Sequence, residues 1–211
     1  GSYKMPYSAE HKADTRSRIV GAAADLLRSQ GIPGTGVAKV MKHAGLTHGG
    51  FYAHFKSKDD LVAAAFEEAV IDAGKKLTEG LQEIEGQERL AHYIGRYLSR
   101  IHRDNPELGC PLASLGAELS RGGPGAKEGF EKGLRRLILG LDKVLPPEVT
   151  ATLNENMAED ENVLAVMAMM VGGLMLSRAV ADEDYSDHIL RTTRRAAKKL
   201  AERGGLAGEK R

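Results

Sequence analysis

The sequence predicts an all-α protein, and three observations carry that prediction. Apolar residues recur at helical spacing, as in Ile19, Ala22, Ala23, Leu26 and Leu27, and again in Leu61, Ala65, Phe66 and Ala69. No stretch sustains the alternation of a half-buried strand. Aromatics make up 5% of the 211 residues and tryptophan is absent, so the core must come mainly from Leu, Val, Ala and Met, which suits helix-on-helix packing.

The elements follow from their breakers. A first helix over 14–30 ends at the glycine-rich run Gly31-Ile32-Pro33-Gly34-Thr35-Gly36, and a short second helix over 37–44 is interrupted by Gly45. Thr47 is placed to cap a third helix over 48–55. Ser57 caps a fourth, with Asp59 and Asp60 in its first turn, where the helix dipole favours carboxylates. Further helices are expected over 87–103, 112–120, 125–144, 147–157, 161–181 and 185–203, with 204–211 as a frayed tail. The organisation expected is an N-terminal three-helix unit over 1–60 and a larger helical domain over 61–211.

The net charge of +1 conceals an asymmetry. Residues 1–60 hold 9 Lys+Arg against 5 Asp+Glu, whereas 61–211 hold 21 against 24. The longest apolar run, 163–176, falls short of the roughly 18 to 20 residues a membrane span needs, and the N-terminus carries no signal-peptide core, so a cytoplasmic protein is expected. The one cysteine, Cys110, excludes an internal disulfide and a multi-cysteine zinc site, and the seven histidines show no ligand spacing, so no metal or cofactor is expected.

Three short helices with a glycine turn between the second and third have helix-turn-helix geometry. The third helix and its flanks place His48, Tyr52, His54, Lys56 and Lys58 on one short stretch. Phosphates accept from lysine and tyrosine, and base edges are read by side chains near the front of such a helix. Gly49 and Gly50 cost about 1 kcal/mol each relative to alanine at the start of a helix. A side chain there would stop the helix reaching the groove floor; a frayed helix start is the alternative.

The string Ala44-Gly45-Leu46-Thr47-His48-Gly49-Gly50-Phe51-Tyr52-Ala53-His54-Phe55-Lys56-Ser57-Lys58-Asp59-Asp60-Leu61 resembles the signature of TetR-type bacterial transcriptional regulators, and Gly31 and Thr35 fall in register with it. The resemblance covers roughly residues 14–62. It implies an N-terminal DNA-binding domain and a helical C-terminal domain that dimerises and binds a small effector. Carried over, Tyr52 and Lys58 would contact phosphates, and Thr35 would sit on the DNA backbone at the start of helix two. Thr47, His48, Gly49 and Gly50 would lie at the reading head, with Phe51 and Phe55 in the core. His54 would either orient the backbone by a hydrogen bond or contact DNA. Lys39 is a phosphate candidate whose alternative is a solvated face, and Gly36 departs from the usual Thr or Ser. Lys4, Lys12, Arg16 and Arg18 are candidates for a basic arm.

In the C-terminal part, candidate effector-lining residues are Phe66, Val70, Leu90, Tyr93, Ile94, Tyr97, Phe130, Met167 and Met170, with Cys110, around a ligand expected to be apolar or electrophilic. The run around Cys110 resembles a branch of the same family in which a cysteine senses oxidants or electrophiles, and Pro111 is placed to open a helix just after it. A small buried hydrophobe is the alternative. The segment 163–176 is apolar on nearly every face, which fits a homodimer interface, with 185–203 supplying a matching stripe. The expected function is therefore a ligand-responsive repressor on a palindromic operator. An enzyme lacks any supporting constellation, and a helical carrier of apolar ligands does not explain Tyr52 and Lys58.

Overall fold

A computed structural model describes residues 9–208, and every regular element among them is a helix. Helix α1 spans Ala9–Gly34, earlier and longer than expected: Glu10 supports its first turn, and a final turn follows a break at Gly31 (φ 68°, ψ −175°). Helix α2 is Val37–His43. Behind it the Leu46 N–H bonds the Met41 carbonyl (2.8 Å) and the Gly45 N–H bonds that of Lys42 (3.0 Å). This paired closure needs a left-handed residue, which Gly45 supplies at φ 68°.

The third helix, expected as α-helical, is a 3-10 helix over His48–Ala53. Thr47 occupies the N-cap position without a side-chain bond, because the Gly50 N–H closes onto the Thr47 backbone carbonyl (3.1 Å), so the expected Thr47 hydroxyl cap is not made. Ser57 does cap the next helix, α3 (Lys58–Thr78), accepting from the Asp60 N–H at 3.1 Å.

The expected helix over 87–103 is two helices, α4 (Gly86–Tyr97) and α5 (Arg100–Asp104). Ser99 breaks them apart by capping the second, its hydroxyl accepting from the His102 N–H at 3.2 Å. Helix α6 (Pro111–Ser120) opens with Pro111 in its first turn behind Cys110, as expected. Helix α7 (Pro124–Leu139) tightens into a 3-10 turn over Gly140–Lys143, and α8 (Pro147–Leu153) into another over Asn154–Glu159. Helices α9 (Glu161–Ala179) and α10 (Glu183–Arg203) are each capped by an aspartate, Asp160 and Asp182. The tail from 204 to 208 is not frayed: Leu206 is buried, and its N–H bonds the Ala201 carbonyl at 2.9 Å.

Helix α3 runs between α1 and α7, and α9 pairs with α10. Small residues set the α3–α7 crossing: a Cβ at Gly129 would lie 2.7 Å from that of Ala63, and one at Gly133 would strike the Phe66 ring. Helix α6 touches α1, α3, α7 and α9, so the C-terminal helices bear directly on the N-terminal unit. By length and composition α9 alone among the described helices could cross a membrane. Here it buries Val163, Val166, Met167, Met170 and Leu174 against its neighbours.

Candidate nucleic-acid interface

The 3-10 helix divides its side chains sharply. Phe51 and Phe55 are buried and stack on each other, ring centroids 5.7 Å apart, fixing the helix to the core as expected. Tyr52 points the other way with 72% of its surface exposed, while His48 and Gly49 are also exposed and Gly50 is half-buried. Lys56 is exposed beside them, and so is Thr47, whose side chain makes no cap bond. A Cβ at Gly49 would meet nothing within 4 Å, so internal packing does not require that glycine.

Other expected members are differently placed. Thr35 is fully buried and its hydroxyl donates to the Gly31 carbonyl at 2.8 Å, a correction to its expected place on the DNA backbone: the group is used inside the turn that precedes α2. Lys58 is half-buried and its ammonium donates to the Ile32 carbonyl at 3.2 Å, which uses one of its three donors. Lys39 is exposed and bonds the Gln30 side chain. The Nδ1 of His54 is buried without a partner among the described residues, so the orienting hydrogen bond considered for it is not made through that atom. Partial burial, then the nearby Lys12 and Arg16, push the His54 imidazole below its ordinary value, which favours its neutral form.

The expected basic arm is tethered. Arg18 donates to the Ala44 carbonyl at 2.8 Å, and the Arg16 guanidinium lies 4.8 Å from the centre of the Phe55 ring. Lys12 is exposed, and Lys4 lies outside the described residues. A link that the sequence did not reveal joins the N-terminal unit to α6: the Glu118 carboxylate accepts from the Ile32 N–H at 2.9 Å, just past the Gly31 break. The partners lie 86 positions apart in the sequence, which leaves no sequence signal for it.

The proposed effector residues divide in the same way. Phe66 and Phe130 stack on each other at 5.7 Å, and Met167 and Met170 are buried on α9. Tyr97 and Cys110 are fully buried around His102. Burial pushes the Cys110 thiol up, the opposite of what a reactive cysteine needs. Of the candidates, Val70 and Tyr93 line the cavity of about 120 Å³ between α3, α4 and α7. That cavity is otherwise bounded by Ile71, Thr78 and Leu137, by Gly74 and Gly140, and by Lys75, Arg136 and Lys143. Sequence reasoning named Val70 and Tyr93 but missed the rest of its lining, although a glycine inside the long helix α3 was an available signal.

Residues 19–65 match the sequence model described as bacterial regulatory proteins, tetR family. The chain is 29% identical over 143 residues to the HTH-type transcriptional repressor NemR of Escherichia coli, covering 67% of this chain and 71% of that protein. The fold resembles the reduced form of E. coli NemR, with a TM-score of 0.64 at 21% identity over 88% of this chain and 96% of that one. It also resembles a TetR transcriptional regulator from Chloroflexus aurantiacus, with a TM-score of 0.62 at 23% identity, covering 92% of this chain and 96% of that one.

Proposed function

Because the chain belongs to the TetR family of bacterial transcriptional regulators, we propose that it is a cytoplasmic homodimeric repressor, released from a palindromic operator by a small-molecule effector. In this reading residues 1–60 bind DNA and 61–211 bind the effector and dimerise. The observation that carries it is the split character of the 3-10 helix, whose two phenylalanines are locked inside while Tyr52 and His48 stand in solvent above a glycine pair. An exposed helix start with no bulk at Gly49 and Gly50 fits a groove floor. Tyr52, Thr47, Lys39 and the remaining donors of Lys58 hold phosphates, His48 reads base edges, and His54 packs behind them. Thr35 serves by holding the turn before α2.

Two copies would place these helices in successive major grooves, about 34 Å apart. Effector binding favours a spacing that DNA does not, and the Glu118–Ile32 bond is a route by which α6 reports on the C-terminal helices. The regulator reading is tested by a mobility shift with the intergenic DNA upstream of the chain's own gene across a salt series. A specific complex that weakens steeply with salt is expected. Tyr52→Phe, which deletes one hydroxyl, should weaken binding several-fold on all sequences, whereas His48→Ala should change the preference among operator variants. Equal effects of both on random DNA would contradict these roles, and no salt-sensitive complex at all would remove the function.

A further inference from the structure

The cavity between α3, α4 and α7 has a lining of two kinds. Its body is apolar, built by Val70, Ile71 and Leu137 with the buried Tyr93 ring. Three cations, Lys75, Arg136 and Lys143, line the same space, and all three are exposed residues, so they belong to its mouth. Two of them meet carboxylates on the outside: Arg136 lies 3.2 Å from Glu67, and Lys75 lies 3.9 Å from Asp72. Lys143 makes no ion pair among the described residues, which leaves positive charge over an apolar chamber.

Gly74 adds an independent observation. Glycine is the poorest helix former after proline, yet it stands in the interior of α3. A Cβ there would come no closer than 3.8 Å to Leu137, an ordinary contact, so helix packing does not exclude a side chain. At Gly140, across the same cavity, a Cβ would meet nothing within 4 Å. What the two glycines preserve is the open volume. At about 120 Å³ it is comparable to the roughly 150 Å³ apolar cavities that take up a single benzene ring.

We propose that this cavity binds a small monocarboxylate with an apolar body, one aromatic ring or a short alkyl chain, its carboxylate held at the mouth by Lys143 and Arg136. This deepens the regulator reading and rests on it for the ligand's role as effector. Ligand sites commonly combine an apolar lining with a few convergent polar groups, and a desolvated carboxylate without a cation would be costly to hold here.

Titration calorimetry on the full chain tests it with benzoate and hexanoate against benzamide and hexanamide, which match them in size without the charge. Carboxylates are expected to bind at least tenfold more tightly than amides. Lys143→Gln, a surface change that leaves the core untouched, should weaken the carboxylates at least fivefold and leave the amides unaltered. Gly74→Val, with folding checked by circular dichroism, should abolish binding of both. Equal affinity for acids and amides, no carboxylate binding at millimolar concentration, or indifference to Lys143→Gln would each overturn the proposal. A parallel mobility shift without ligand separates the two claims: a specific DNA complex from a protein that binds no carboxylate keeps the regulator and removes this site. Tight carboxylate binding without any DNA complex does the reverse.

Discussion

His102 shows how one side chain can organise a buried junction. Its Nε2 accepts from the Cys110 backbone N–H at 2.8 Å, so the proton sits on Nδ1, which donates to the Tyr97 carbonyl at 2.7 Å. A second proton would have to enter at Nε2, facing a donor. Burial pushes the imidazole down to about 4, outweighing the Tyr97 carbonyl, and the Arg178 guanidinium adds to the depression. The unfolded chain takes up that proton near the ordinary histidine value of about 6.5, so stability from this group is full above that pH. It is then lost as pH falls toward 4. Between pH 7 and pH 4.5 the loss should reach about 2 to 3 kcal/mol, measured by urea unfolding. His102→Asn should show a shallower decline than the parent over that window, since the other groups titrate alike in both proteins; parallel declines would refute the assignment. The neighbouring Cys110 gives a simpler check. Native protein should resist iodoacetamide at neutral pH while urea-denatured protein labels fully, because the thiol is buried and its titration is raised.

Helix ends decide how much of this fold a reader of the sequence can recover. Ser57 with Asp60 and Asp160 ahead of Val163 announce their helices because the capping partner lies two or three residues away. The break between α4 and α5 was hidden, since Ile94, Tyr97, Leu98 and Ile101 continue a helical apolar spacing that only the Ser99 cap interrupts. The exposed front of the candidate interface was legible from Gly49, Gly50 and Tyr52, whereas Thr35 was misread because its hydroxyl partner, the Gly31 carbonyl, exists only after the chain has turned. That turn is also where α6 meets α1. A Cβ at Gly31 would lie 2.9 Å from the Glu118 carboxylate, on a backbone already at φ 68°. Gly31→Ala should therefore destabilise the protein by about 1 to 2 kcal/mol in thermal or urea melts. Glu118→Ala should leave the Ile32 N–H without its partner. Hydrogen exchange should then speed up over 31–43 while the α9–α10 pair stays protected; uniform protection across both regions would mean that the bond does not couple α6 to the reading helix.

Across the whole molecule one surface remains to be accounted for. On α9, Leu164, Ala168, Met175, Leu176 and Ala179 are exposed and Gly172 is half-covered, a single apolar stripe along one side of the helix. A Cβ at Gly172 would meet nothing, whereas one at Gly173 would strike Thr193 of α10. Gly173 thus serves the packing against α10, while Gly172 faces open space. Met167 and Met170 are turned into the core while Met175 is exposed, so the apolar residues of 163–176 are shared between inside and outside. Exposed stripes of this kind are uncommon on monomers and usual where helices pair. If a second copy covers this one, Leu176→Glu would bury an unpaired carboxylate in the contact, and sedimentation at about 10 μM should show a monomer with unchanged helical content. Each reading helix would then meet DNA alone. Losing the linked second half-site should lower operator affinity by about a hundredfold or more, without altering the base preference proposed for His48. A Leu176→Glu protein that still sedimented as a dimer would place the contact elsewhere on the surface. A monomer that kept full operator affinity would show instead that one reading helix suffices.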